Sequence, residues 1–134
     1  MDLSIRRTEH GDRTIVRMGG EIDVYTASLV RESLEDQLGQ GRIHLILDLS
    51  DVTFLDSTGL GVLVGRLKRA RALGGSLRLV ASDERVLRVF AITGLDKIFE
   101  IHADLDTALR VADEPAVDSA DGAVATGPEE PRAN

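Results

Sequence analysis

The sequence predicts an α/β domain with a mixed, mainly parallel sheet of about five strands and about four helices packed on it. Two features lead to this. After an opening pair of alternating segments, strand-like and helix-like stretches follow one another regularly, which requires crossovers and parallel pairing. The run IHLILDL at 43–49 is also almost continuously apolar, as expected of a central strand covered on both faces.

The elements follow in chain order. LSIRRTE (3–9) and RTIVRMG (13–19) alternate in polarity and are joined by His10-Gly11-Asp12, predicting an antiparallel pair at one edge. GEID leads into a helix from about Thr26 to Leu38, with Leu29, Val30, Leu34 and Leu38 expected on its buried face and Gly39 and Gly41 ending it. The strand at 43–49 precedes a helix from about Ser57 to Leu73. There Leu60, Leu63, Val64, Leu67 and Ala70 repeat with the spacing of a buried stripe. Gly74-Gly75 terminates that helix, and SLRLVA (76–81) supplies the next strand. Asp83 can cap a helix running to Thr93 and stopped by Gly94. KIFEIHA (97–103) reads as the last strand, and Asp104 can cap a final helix to about Ala112.

At 134 residues the chain suffices for one domain, placed at 1–112. The rest, 113–134, contains all three prolines, six acids and one base, and no apolar residue larger than valine. Such a composition buries too little surface to offset ordering, and it predicts a disordered acidic tail. Of the net charge of −7, the tail carries −5 and the domain −2, so the domain has no broad basic footprint for nucleic acid. With no cysteine, disulfides and thiolate metal sites are excluded. No stretch has the length of a membrane span and the first ten residues lack a signal-peptide core, so a cytoplasmic protein without membrane association is expected.

Few residues suggest catalysis or metal binding. His10, His44 and His102 show no ligand spacing, and no base lies near Ser57 in the sequence to make it a nucleophile, so neither an enzyme nor a metal site is expected. Gly59-Leu60-Gly61 lacks the further residues of a nucleotide loop. Asp48 ends an apolar run as a phosphoacceptor would, but the first strand is not followed by the acidic pair that such a domain needs. Arg66, Lys68, Arg69 and Arg71 read as a solvated helix face that suits the C-terminal dipole.

FLDSTGLG (54–61) stands apart. Asp56 or Ser57 there can simply cap the helix. Yet Gly59, Gly61 and Gly65 weaken that helix by roughly 1 kcal/mol each relative to alanine, which implies that another backbone comes close. A helix N-terminus also tolerates added negative charge.

GGEIDVYTA (19–27), LDLSDVTFLDSTGLGVLVGRLKRARALGGSLRLV (47–80) and VLRVFAITGLDKIF (86–99) resemble the anti-sigma-factor antagonists, which are single STAS domains. The resemblance spans about residues 3–110, and its most specific element is Asp-Ser-[Ser/Thr]-Gly at a helix start downstream of GEID. It implies the STAS fold and a role in sigma-factor regulation and stress response by partner switching. In that mechanism the unmodified antagonist binds an anti-sigma factor that is also a serine kinase, freeing a sigma factor. Phosphorylation ends binding, and a PP2C-type phosphatase restores it. On this reading Ser57 is the acceptor and Thr58 a second candidate. Asp23, Asp56, Ser57, Thr58, Gly59, Leu60 and Gly61 form the partner surface, with Asp23 close to the modified serine. The chain itself needs no cofactor, because ATP and Mg are used by the kinase. A weak homodimer is compatible with the family, and a phosphorylation-independent STAS scaffold is the alternative function.

Overall fold

The computed structural model of the chain describes residues 2–113, so the predicted acidic tail, apart from Asp113, lies outside the described residues. The element order is β1 (Leu3–His10), β2 (Arg13–Ile22), α1 (Ala27–Gly39), β3 (His44–Leu55), α2 (Ser57–Ala72), β4 (Ser76–Val80), α3 (Glu84–Thr93), a 3-10 turn (Leu95–Lys97), β5 (Glu100–His102) and α4 (Leu105–Asp113). The five strands lie side by side in chain order; β1 pairs antiparallel with β2 and every later pair is parallel. The predicted fold class is therefore the observed one.

Strand alternation divides the core in two. Val16, Met18, Leu45, Leu47 and Leu79 face α1, α2 and α3, where Val30, Leu34, Leu63, Leu67 and Phe90 meet them. Ile15, Ile46 and Val80 face the opposite way and are covered by Ala108 and Ala112 of α4. The run at 43–49 is apolar throughout because it is the central strand and both of its faces are covered.

The structure departs from the sequence reading in β3, in the last strand and on the buried face of α1. β3 continues six residues past Leu49, because Val52 and Leu55 still enter the core and pair with the upper half of β2. Its register against β2 slips between Arg17 and Gly19 and again between Gly20 and Glu21, giving β3 an extra residue each time. These bulges break the period-2 pattern that marks a strand in sequence. The Asp48 carboxylate, buried within this strand, accepts hydrogen bonds from the N–H and hydroxyl of Ser50 at 3.0 and 2.6 Å, bracing the first slip. The last strand shrinks to Glu100–His102, because Ile98 and Phe99 both donate backbone N–H to Leu95 O and complete a turn there. Phe99 then packs edge-on against Phe90, with ring centroids 5.6 Å apart. Finally, Leu29 is exposed, and α1 buries Ala27, Val30, Leu34, Gln37 and Leu38 instead.

The predicted helix stops are present. Gly94 adopts φ +75° after α3. The Asp83 carboxylate caps α3 through the Arg85 N–H and also pairs with the Arg85 guanidinium. The guanidinium contact, with the backbone bond second, holds this carboxyl down at about 2. Glu35 of α1 pairs with Arg66 and Arg69 of α2, so two of the four cations expected to be solvated in fact join the helices.

Candidate functional site

β2 and β3 end together, with Ile22 beside Leu55, and the Asp56 N–H donates to Ile22 O at 3.1 Å. Asp56 is the cap of α2: its backbone is extended, and Oδ1 accepts from the Gly59 N–H at 3.0 Å. Ser57 is thus the first helical residue, exposed together with Thr58. Among the described residues, neither hydroxyl and neither backbone N–H of this pair has a hydrogen-bond partner. Two free donors at a helix N-terminus, beside two free hydroxyls, make a place that accommodates an anion attached to the chain.

The neighbouring loop is built by Asp23 and Thr26. Asp23 Oδ1 accepts from the N–H groups of Tyr25 (2.8 Å) and Thr26 (3.0 Å), while Thr26 Oγ1 accepts from the Asp23 N–H (2.9 Å) and donates to Glu21 O (2.8 Å). This reciprocal set starts α1 and turns Val24 and Tyr25 outward, 61% and 80% exposed. Asp23 itself is 4% exposed, and its Oδ2 is buried without a partner.

The seven residues assigned to the partner surface therefore separate into two groups. Ser57, Thr58 and Gly61 are exposed and Asp56 is half-buried, whereas Asp23, Gly59 and Leu60 are buried. The last three can shape a contact surface only from behind. Asp23 holds the loop, Leu60 anchors α2 in the core, and Gly59 sets how closely the helix approaches the sheet. A Cβ on Gly59 would lie 2.6 Å from Ile22 Cγ2 and 2.7 Å from Leu55 Cδ1, while one on Gly61 or Gly65 would meet nothing within 4 Å. Only Gly59 is thus explained by internal packing; the space over Gly61 and Gly65 faces outward.

Gly59→Ala is accordingly expected to lower stability by about 1–3 kcal/mol in urea unfolding, through overpacking against Ile22 and Leu55. Gly61→Ala is expected to be neutral or stabilising by up to about 1 kcal/mol, from helix propensity alone. Equal stability of the two variants would remove the packing role given to Gly59.

Sequence reasoning missed the apolar component of this rim. Val24, Tyr25, Leu29 and Phe54 are all exposed, and all lie at the end of the sheet where β2 and β3 stop and α1 and α2 begin. The signal was present in Val24-Tyr25, two large side chains inside a loop, and in a Leu29 that the buried stripe of α1 does not use. Single exposed apolar residues are ordinary; here four share the end of the sheet at which the free hydroxyl pair stands.

No histidine approaches Ser57 in hydrogen bonding. His44 pairs with Ser76 and His102 with Glu100, and His10 ends β1 at the opposite end of the sheet. Among the described residues no group of three or more His, Cys, Asp or Glu could hold a metal ion, and no helix is long and apolar enough to cross a membrane.

The sequence model of the STAS domain family matches residues 4–108. An anti-sigma-B factor antagonist of Bacillus subtilis is 43% identical over 103 residues, covering 77% of this chain and 94% of that protein. An anti-sigma F factor antagonist of Paenibacillus polymyxa is 34% identical over 110 residues, covering 81% and 94%. Among solved structures, an anti-sigma factor antagonist from Mycobacterium paratuberculosis superposes with a TM-score of 0.79 at 29% identity, covering 84% of this chain and 96% of that one.

Proposed function

The chain belongs to the STAS domain family of anti-sigma factor antagonists, and from that premise we propose that the rim around Ser57 docks an anti-sigma factor only while Ser57 is unphosphorylated. Binding sequesters the anti-sigma factor and leaves a sigma factor free for transcription. The anti-sigma factor is also the kinase. It transfers the γ-phosphoryl of Mg-bound ATP to Ser57 Oγ, with ADP leaving and the hydroxyl proton passing to a kinase base. A PP2C-type phosphatase hydrolyses the phosphoserine and resets the surface.

One observation carries this reading: the exposed Ser57 hydroxyl stands at a helix N-terminus with uncommitted N–H groups, at the end of the sheet where Val24, Tyr25, Leu29 and Phe54 are also exposed. Each part has a purpose in a switch. The free N–H groups and the dipole tolerate a phosphate within the fold. Val24, Tyr25 and Phe54, exposed at the same end of the sheet, make the same phosphate costly in a complex, where it has to lose water against an apolar partner. Thr58, equally exposed, is the second candidate acceptor.

Intact mass spectrometry after incubation with the cognate anti-sigma factor and ATP tests the proposal. A gain of about 80 Da, one phosphoryl group, is expected for the native chain and for Thr58→Ala, and none for Ser57→Ala. A gain in Ser57→Ala would move the acceptor to Thr58. No gain in the native chain would favour a phosphorylation-independent scaffold that uses the same apolar rim.

A further inference from the structure

We propose that a basic pocket at the opposite end of the sheet takes an acidic peptide, and that its occupant is this chain's own segment around Asp118 and Asp121. The pocket is about 340 Å³ and lies between the C-terminal turn of α2, the start of β4 and the turn into β5. Leu67, Phe99 and the half-exposed Ile98 give it an apolar floor, and Arg71, Arg78 and Lys97 line it together with one carboxylate, Glu100. Arg78 is committed to Glu100. Among the described residues Arg71 has one 3.4 Å hydrogen bond, to the Ile98 carbonyl, and Lys97 has no side-chain partner, so neither cation meets a carboxylate. The helix dipole accounts for arginine in the last turn of α2, but not for Lys97 or for the exposed Ile98.

The occupant follows from where the described chain ends. The Arg13 guanidinium, at the start of β2, donates to the Ala112 carbonyl near the end of α4. β2, β3 and β4 are parallel, so the start of β2 lies at the same end of the sheet as Ser76, which opens β4 and lines the pocket. Two strand spacings, about 10 Å, separate β2 from β4, and because α4 and α2 lie on opposite faces the path also rounds the end of the sheet, roughly another 10 Å. Extended chain covers about 3.3–3.6 Å per residue, so Asp118, six positions past Ala112, can reach roughly 20 Å. Residues 116–121 read AVDSAD, small apolar side chains between two carboxylates, which suits an apolar floor beside two unpaired cations. From 114 to 134 five acids face one base, so the charges are complementary. Tethering places these acids at an effective concentration of order millimolar, enough to fill a weak site.

The chain contains no cysteine, so Ser119→Cys in the full chain accepts a single nitroxide label. In the full-length, isotope-labelled protein at low salt, the amide signals of Arg71, Ser76 and Lys97 are expected to fall to about half or less, and to recover near 0.5 M salt as screening shortens to a few ångströms. The same recovery is expected at low salt in Arg71→Glu/Lys97→Glu, with the remaining spectrum unchanged to show that the fold persists. Three results would each overturn the proposal: no broadening at low salt, broadening confined to the Arg6 and Arg17 side of the sheet, or equal broadening when label and isotope are on different copies. The last would assign the pocket to a second molecule.

Discussion

A phosphate on Ser57 is expected to weaken binding of the anti-sigma factor about a thousandfold, a loss of about 4 kcal/mol, while leaving the fold intact. The two effects separate because the modified group sits on the border between fold and partner. On the inner side, the dianion meets the free N–H groups of Ser57 and Thr58 and the positive end of α2, an interaction worth about 0.3–1 kcal/mol in favour of the fold. On the outer side it must be desolvated against a partner already matched to Val24, Tyr25 and Phe54, with the Asp56 carboxylate making the local field more negative. Ser57→Asp, with about half the charge and no tetrahedral bulk, should show the same direction at roughly tenfold to hundredfold. Ser57→Ala should bind tightly and stay bound in the presence of ATP. Calorimetric titration of the purified anti-sigma factor with each form decides the matter, and native affinity in the phosphorylated form would sink the proposed switch.

Tyr25→Ala is expected to cost about 2 kcal/mol of binding, roughly thirtyfold, with no measurable change in thermal midpoint. Tyr25 is the most exposed large side chain on the rim, so the fold gains little from its ring. A partner that covers it gains an amphipathic aromatic anchor. The loop that carries the ring is also fixed, because the Tyr25 N–H donates to Asp23 Oδ1 at 2.8 Å. Asp23→Ala provides the contrast. It removes those bonds, so both the thermal midpoint and the affinity should fall together. Unchanged affinity in Tyr25→Ala would place the contact surface elsewhere.

The element order was readable because each element follows a local rule. Asp83 and Asp104 were recognisable caps, the α2 cap was narrowed to Asp56 or Ser57, and Gly94 was a recognisable stop, because these residues act within one turn of themselves. What escaped was set by partners far along the chain. The upper half of β3 was hidden by two bulges whose cause is the register against β2, more than thirty residues away. The separation of Gly59 from Gly61 and Gly65 was equally hidden, since the three look alike in sequence and only the approach of Ile22 and Leu55 distinguishes them.

At FLDSTGLG, the sequence by itself determined the helix start, a cap at Asp56 or Ser57 and the presence of two hydroxyls there, because capping is a matter of neighbouring residues. Only the tertiary structure decided which residues face outward. Parallel pairing of β2 with β3 brings the Asp23 loop beside Asp56, and buries Asp23, Gly59 and Leu60 behind the surface. It leaves Val24, Tyr25, Leu29 and Phe54 exposed at the same end of the sheet as Ser57. Burial depends on what the rest of the chain places against a residue, and no local pattern around position 57 specifies that.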